Sequence, residues 1–241
     1  MQFTFEAYRE LVNTLWNNGY TFAGYHDYDS IGNPCILRHD IDYSLEKSLR
    51  FAEFEHYLGV KSTYFVLISS DFYNVFSKKN GEILREIQGM GHEIGLHFDE
   101  TAYGNLDSDS MISAILREKD LLQDIVRGGV TAVSMHRPSR WVLETDLKIP
   151  GMVNSYGKEF FQNFKYVSDS RMRWREDVIK YVTEKTYPRL HILTHAFWYN
   201  DENLSLHDAL DRFLSDARRD RYDILNENFT DLPSVIAEQE P

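Results

Sequence analysis

The sequence predicts an α/β protein of parallel strand–helix–strand units, on three observations. Several short segments are apolar almost throughout, as strands buried on both faces are. Between them lie stretches whose apolar residues recur every three or four positions, the spacing of a helix packed on one side. The links are short, and strand–helix units so joined wind right-handed into a barrel or an open sheet.

Taken in order, Phe5, Tyr8, Leu11, Val12, Leu15 and Trp16 form one face of a helix that ends near Asn17-Asn18-Gly19. A polar, turn-rich segment from Gly24 to Pro34 reads as a solvated loop, His26 included. Ile36 and Leu37 close a buried strand that runs into Arg38, His39, Asp40 and Asp42. Ser44 to Leu58 is a helix with Gly59 as its stop, Val60–Ile68 a strand, and Ile83, Leu84, Ile87 and Met90 mark a helix. A strand at His92–Phe98, a helix across 110–127 and a strand at Val130–Met135 follow. The second half repeats the pattern less clearly, with short strands at Tyr166–Val167 and Leu190–Thr194 and a closing helix from Leu204 to Leu214. The tail from Glu227 to Pro241 is expected at the surface.

A chain of 241 residues can bury one sizeable core, and the absence of linkers or repeats points to a single domain over residues 1–241. A formal net charge of −12 argues against duplex nucleic acid or an anionic membrane as partner. The lone cysteine, Cys35, excludes an intramolecular disulfide and a cysteine-rich zinc site. There is no signal-peptide pattern and no apolar run near the ~20 residues that span a bilayer, so a cytoplasmic protein without a membrane segment is expected. No feature of the sequence specifies an oligomeric state.

Chemistry collects at the C-terminal ends of the expected strands: Asp40 and Asp42, His97 and Asp99, His136 and Arg137, Asp169, and His195. In parallel α/β folds this rim is where active sites form. Alternation sends Asp40 and Asp42 to one face, where two carboxylates repel unless a cation or a proton intervenes. A divalent metal on one, with the other free as a base, resolves the conflict; a helix-capping aspartate beside a surface one is the bland alternative. Aspartate with histidine suits Zn²⁺ or Fe²⁺ better than Ca²⁺.

The order Arg38-His-Asp-Ile-Asp42, Ser62-Thr-Tyr-Phe65, Gly91-His-Glu-Ile-Gly-Leu-His97, His136-Arg-Pro138 and Leu193-Thr-His195 resembles the polysaccharide deacetylase family (NodB homology, carbohydrate esterase family 4). The resemblance implies a distorted (β/α) barrel with fewer than eight parallel strands, and metal-dependent removal of an N-acetyl or similar acyl group from a sugar. Carried over by position, Asp40 is the base, Asp42 and His97 are metal ligands, and Arg137 orients the base. His195 is the general acid, Asp169 tunes it, and His92 is structural. The family's second metal histidine would fall at Thr101. Asp99, Glu100 and His136 are the candidates for the missing ligand, and His136 is preferred. A divalent ion, Zn²⁺ first, is the implied cofactor, and a small-molecule or oligosaccharide the implied substrate. With no leader, a cytoplasmic precursor of a surface polysaccharide such as lipopolysaccharide is expected. Phe197, Trp198 and Tyr199 with Trp141 would form either a wall for a sugar ring or rim packing. Two alternatives stand beside this reading: a metal-dependent hydrolase of another amide or a phosphoester, and an inactive barrel that binds a saccharide.

Overall fold

The computed structural model describes residues 1–236. Helix α1 (Phe5–Asn17) leads to strand β1 (Thr21–Ala23), then β2 (Pro34–Ile41), α2 (Leu45–Leu58), β3 (Thr63–Leu67), α3 (Lys78–Gly89), β4 (Glu93–Phe98), α4 (Ser108–Val126) and β5 (Ala132–Met135). The chain continues through α5 (Arg140–Glu144), β6 (Val153–Asn154), β7 (Lys165–Ser168), α6 (Val178–Thr183), β8 (Leu190–Thr194), α7 (Leu206–Asn228) and α8 (Leu232–Val235).

All strand pairs are parallel, and seven strands form one path in the order β6-β5-β4-β3-β2-β8-β7. Short β1 pairs with the first half of β2, below the point where β3 begins its pairing. The sheet is curled. Arg38 of β2 reaches Ser155, one residue past β6, by a 2.7 Å hydrogen bond, although three strands separate β2 from β6 in the sheet. This is the distorted, incomplete α/β barrel expected of the sequence, with seven staves and, among the described residues, an unpaired seam between β6 and β7.

Alternation divides the core in two. Cys35, Leu37 and Ile41 of β2, with Tyr64, Val66, Ile94, Leu96 and Phe98, face the helices. Ile36, Phe65 and Ala132 face inward, packed with Tyr25, Phe160 and Phe164 to fill the lower barrel. Gly95 is required there, because a Cβ would lie 2.5 Å from the Phe65 ring. The helices start where their caps dictate: the Thr4 and Ser44 side chains accept from backbone N–H groups of α1 and α2. Gly59 ends α2 in the left-handed conformation.

Three details differ from the sequence expectations. Strands β1 and β6, of three and two residues, were too short to show a pattern. Helix α7 runs to Asn228 rather than Leu214, because its second half is exposed and needs no apolar stripe to continue. Of the tail expected at the surface, α8 has a buried Leu232, and residues 237–241 lie outside the described residues.

Candidate active site

Strand β2 carries the centre of the site. Its inward positions are Ile36, Arg38 and Asp40, and Asp42 follows one residue beyond the strand end. Arg38 and Asp40 are both buried. An Arg38 Nη2 group donates to Asp40 Oδ2 at 2.8 Å and to Ser134 Oγ at 2.7 Å, and Nη1 donates to Ser155 Oγ at 2.7 Å. The guanidinium lies over the rings of Phe65 and Tyr156, at 5.3 and 5.0 Å. Burial pushes the Asp40 carboxyl up, but the charges of Arg38, His97 and His195 outweigh it and hold the group below its usual range.

The guanidinium expected on Asp40 was that of Arg137. Arg137 is instead exposed, in a left-handed turn just past His136 with φ of 48°, and Asp40 is held by Arg38. The arginine and the carboxylate share one face of one strand, so the pleat aligns them.

Three ligand atoms converge above Asp40. His97 Nε2 stands 3.3 Å from Asp42 Oδ1, His136 Nδ1 is also 3.3 Å from Asp42 Oδ1, and the two nitrogens are 3.1 Å apart. A tetrahedral ion with bonds of about 2.0–2.1 Å separates its ligands by about 3.3–3.4 Å, so these atoms sit at the spacing of three corners. The polar groups around them point the same way. Among the described residues, Asp42 Oδ1, Asp40 Oδ1 and His97 Nδ1 are buried with no hydrogen-bond partner. Burial raises the Asp42 carboxyl, and the imidazoles of His136 and His97 beside it then bring it far below its usual range. Asp42, His97 and His136 therefore fit a divalent ion, with room for water or substrate at the remaining corner.

His136, and not Thr101, brings the third donor to this triangle. It continues the inward series of Ala132 and Ser134 on β5, and its N–H bonds to the Phe98 carbonyl. The rival ligands are engaged elsewhere. Asp99 Oδ1 accepts from both the N–H and hydroxyl of Thr101, and Glu100 Oε1 accepts from the Ser139 N–H.

His195 follows the end of β8. Its Nδ1 donates to Asp169 Oδ1 at 2.6 Å, and its backbone N–H donates to the same fully buried carboxylate. Burial lowers the imidazole, but the charge and hydrogen bond of Asp169 prevail, with smaller help from Asp42 and Asp40, and push it up to about 9. The opposite nitrogen, Nε2, faces Asp42 Oδ2 at 3.8 Å. The arrangement can thus hold a cation between a carboxylate and a proton-bearing imidazole.

Other expectations resolve simply. His92 is buried behind the sheet, bonded to Ser62 and to the Ala52 carbonyl, as a structural histidine should be. Phe197, Trp198 and Tyr199 are buried in the outer core and are rim packing rather than a sugar wall, whereas Trp141 is 39% exposed. The sequence reading missed Arg38, Ser134 and Ser155 as the support of Asp40. A charged residue two places before Asp40, inside an apolar strand, was the available signal.

No family model and no curated protein matches this sequence. Solved structures do resemble it. A family 4 carbohydrate esterase from Bacillus anthracis is 16% identical, with a TM-score of 0.46 over 87% of this chain and 85% of that one. A family 4 acetyl xylan esterase from Clostridium thermocellum, in complex with a cobalt ion, is 14% identical, with a TM-score of 0.42 over 77% and 83%. A family 4 pseudoenzyme from Bacillus anthracis is 16% identical, with a TM-score of 0.42 over 78% and 62%. All three are likenesses at low identity. The family in their descriptions is the one that this chain's motifs resemble.

Proposed function

We propose that the protein is a metal-dependent hydrolase that removes an N-acetyl or similar acyl group from an amino sugar. One observation carries the reading: the Asp42, His97 and His136 triangle is flanked by the Arg38-held carboxylate of Asp40 and the Asp169-held imidazole of His195. A bound divalent ion, Zn²⁺ in the first instance, would polarise the acyl carbonyl and ease deprotonation of the attacking water. Asp40 accepts the proton of that water as general base, since Arg38 keeps its carboxylate ionised. His195 Nε2 delivers a proton to the departing amine nitrogen, and Asp169 fixes the tautomer and steadies the imidazolium. The sugar we assign as substrate is a cytoplasmic precursor of a surface polysaccharide.

The test is acyl release from a panel of N-acetylated sugars and sugar diphosphates, with small cyclic amides and phosphoesters as controls, on Zn²⁺-loaded protein. The expected result is turnover of an N-acyl sugar that falls at least ~10²-fold in Asp40→Asn while metal content holds. Full turnover in that variant, or hydrolysis of the controls alone, overturns the proposal.

A further inference from the structure

Phe197, Trp198 and Tyr199, candidates for a sugar wall by sequence, are all buried. Phe197 instead backs a ring that is not. It lies 4.7 Å from Tyr43 and 5.0 Å from Phe213, and those two half-buried rings lie 5.2 and 5.7 Å from Phe72. Phe72 is the most exposed of the four, at 49%.

The loop that carries Phe72 fixes its place in the fold. That loop leaves β3, which lies between β2 and β4, the strands whose ends supply Asp42 and His97. The Phe72 N–H donates to Ser70 Oγ at 3.1 Å, and the Ser70 hydroxyl donates at 3.2 Å to the backbone carbonyl of Asp42. Tyr73 Oη donates to the Ile41 carbonyl at 2.6 Å and accepts from the Leu67 N–H at 3.0 Å. Val75 is buried in the core just beyond. Two hydrogen bonds therefore separate the Phe72 backbone from that of a candidate metal ligand, on a segment pinned on both sides of the ring. A large aromatic ring held in solvent by a fixed loop, at the rim where the triangle is built, is a surface kept for a ligand.

We propose that Phe72 is the platform on which the sugar ring of the substrate stacks while its acyl group lies at the Asp42, His97 and His136 triangle. One face of a pyranose is lined with C–H groups, and their slight positive charge suits the negative face of an aromatic ring. Tyr43 and Phe213 pack against Phe72 and steady it. The stacking contact is the same before and after the acyl carbonyl is attacked, so it strengthens binding without speeding the chemical step. That the sugar carries an acyl group to be removed rests on the deacetylase reading above; the position of the ring does not.

The test titrates N-acetylglucosamine, N-acetylgalactosamine and N-acetylmannosamine calorimetrically into the Zn²⁺-loaded full chain, beside N-acetylethanolamine, which keeps the acetamide but has no ring. At least one sugar should bind about tenfold more weakly to Phe72→Ala than to the parent, and Phe72→Tyr, which restores the ring, should recover the loss. N-acetylethanolamine should not distinguish the three proteins, and their metal content should be equal. In turnover of the same sugar, KM should rise with the loss while kcat holds. Unchanged sugar affinity in Phe72→Ala, an equal loss for N-acetylethanolamine, no recovery in Phe72→Tyr, or no sugar binding to the parent overturns the proposal. Ring-dependent binding without acyl release would leave the platform standing and remove the deacetylase reading. Acyl release at an unchanged KM in Phe72→Ala would do the reverse.

Discussion

Strand β2 presents two polar clusters, one on each face, and they are built to opposite rules. On the outer face His39 meets Glu55, whose fully buried carboxylate also accepts from the hydroxyls of Tyr8, Ser62 and Tyr64. His39 shares its other nitrogen with Thr194 at 2.6 Å. Every side-chain polar atom of this cluster has a partner. On the inner face, the cluster of Arg38, Asp40, Asp42 and His97 leaves four buried atoms unpartnered among the described residues. A saturated network fixes α1 and α2 to the sheet; an unsaturated one waits for something to bind. Burial does not tell these two clusters apart, but their unequal hydrogen-bonding satisfaction does.

The contrast can be broken by substitution. His136→Ala should reduce bound Zn²⁺ from close to one per chain to close to none, with affinity down by at least ~10²-fold, as measured by metal analysis after dialysis. Asp99→Ala should leave it unchanged. The metal-free His136→Ala protein should unfold at nearly the parent's urea concentration, since few contacts are lost. Glu55→Gln should do the opposite: metal content is retained, and stability falls by about 3 kcal/mol in urea unfolding, because four donors then face an uncharged group. Retained metal in His136→Ala, or lost metal in Glu55→Gln, would erase the distinction between the faces.

A smaller effect concerns acid. Burial, then the Arg38 charge, holds His191 down to about 3 from its ordinary 6.5, in keeping with its bonds to the Tyr25 hydroxyl and the Phe160 carbonyl. Below pH 6.5 the unfolded chain takes up a proton there that the folded chain refuses, so stability should decline as pH falls from 6.5 towards 3. Glu55, held at about 2 despite burial by His39 and its other donors, has the carboxylate sign. Its contribution is complete above its ordinary 4.5 and is lost as pH falls towards 2. Thermal melts from about pH 7 to about pH 5 should therefore show a downward slope that His191→Gln flattens, with Glu55 adding to the fall only at lower pH.

Much of this was legible in the sequence, for reasons that differ by element. Asp40 and Asp42 could be placed because a strand's period of two is local, and Ser44 and Gly59 bracketed α2 because caps are local too. His136 could be preferred over Asp99, but no local pattern decides between them. Its meeting with His97 depends on how β5 registers against β4, where His97 pairs with Ser134. Arg38 was missed in favour of Arg137 because its supports, Ser134 and Ser155, lie 96 and 117 residues away. Only the curl of the sheet brings them together. The exposed half of α7 left no apolar pattern to read.

The inward row Ile36, Arg38, Asp40 and Asp42 has a consequence for how the chain tolerates change. One strand supplies a packing residue, a counter-charge, a base and a ligand at consecutive inward steps. Inserting or deleting a single residue upstream within β2 would turn His39 into the barrel and the four others towards the helices, leaving Arg38 and Asp40 against an apolar layer. Misalignment of this strand therefore carries a penalty in charge burial as well as in packing. Folding and function are checked by the same register, so lineages of this chain should accommodate length changes in the loop before β2, from Gly24 to Asn33, far more readily than within the strand.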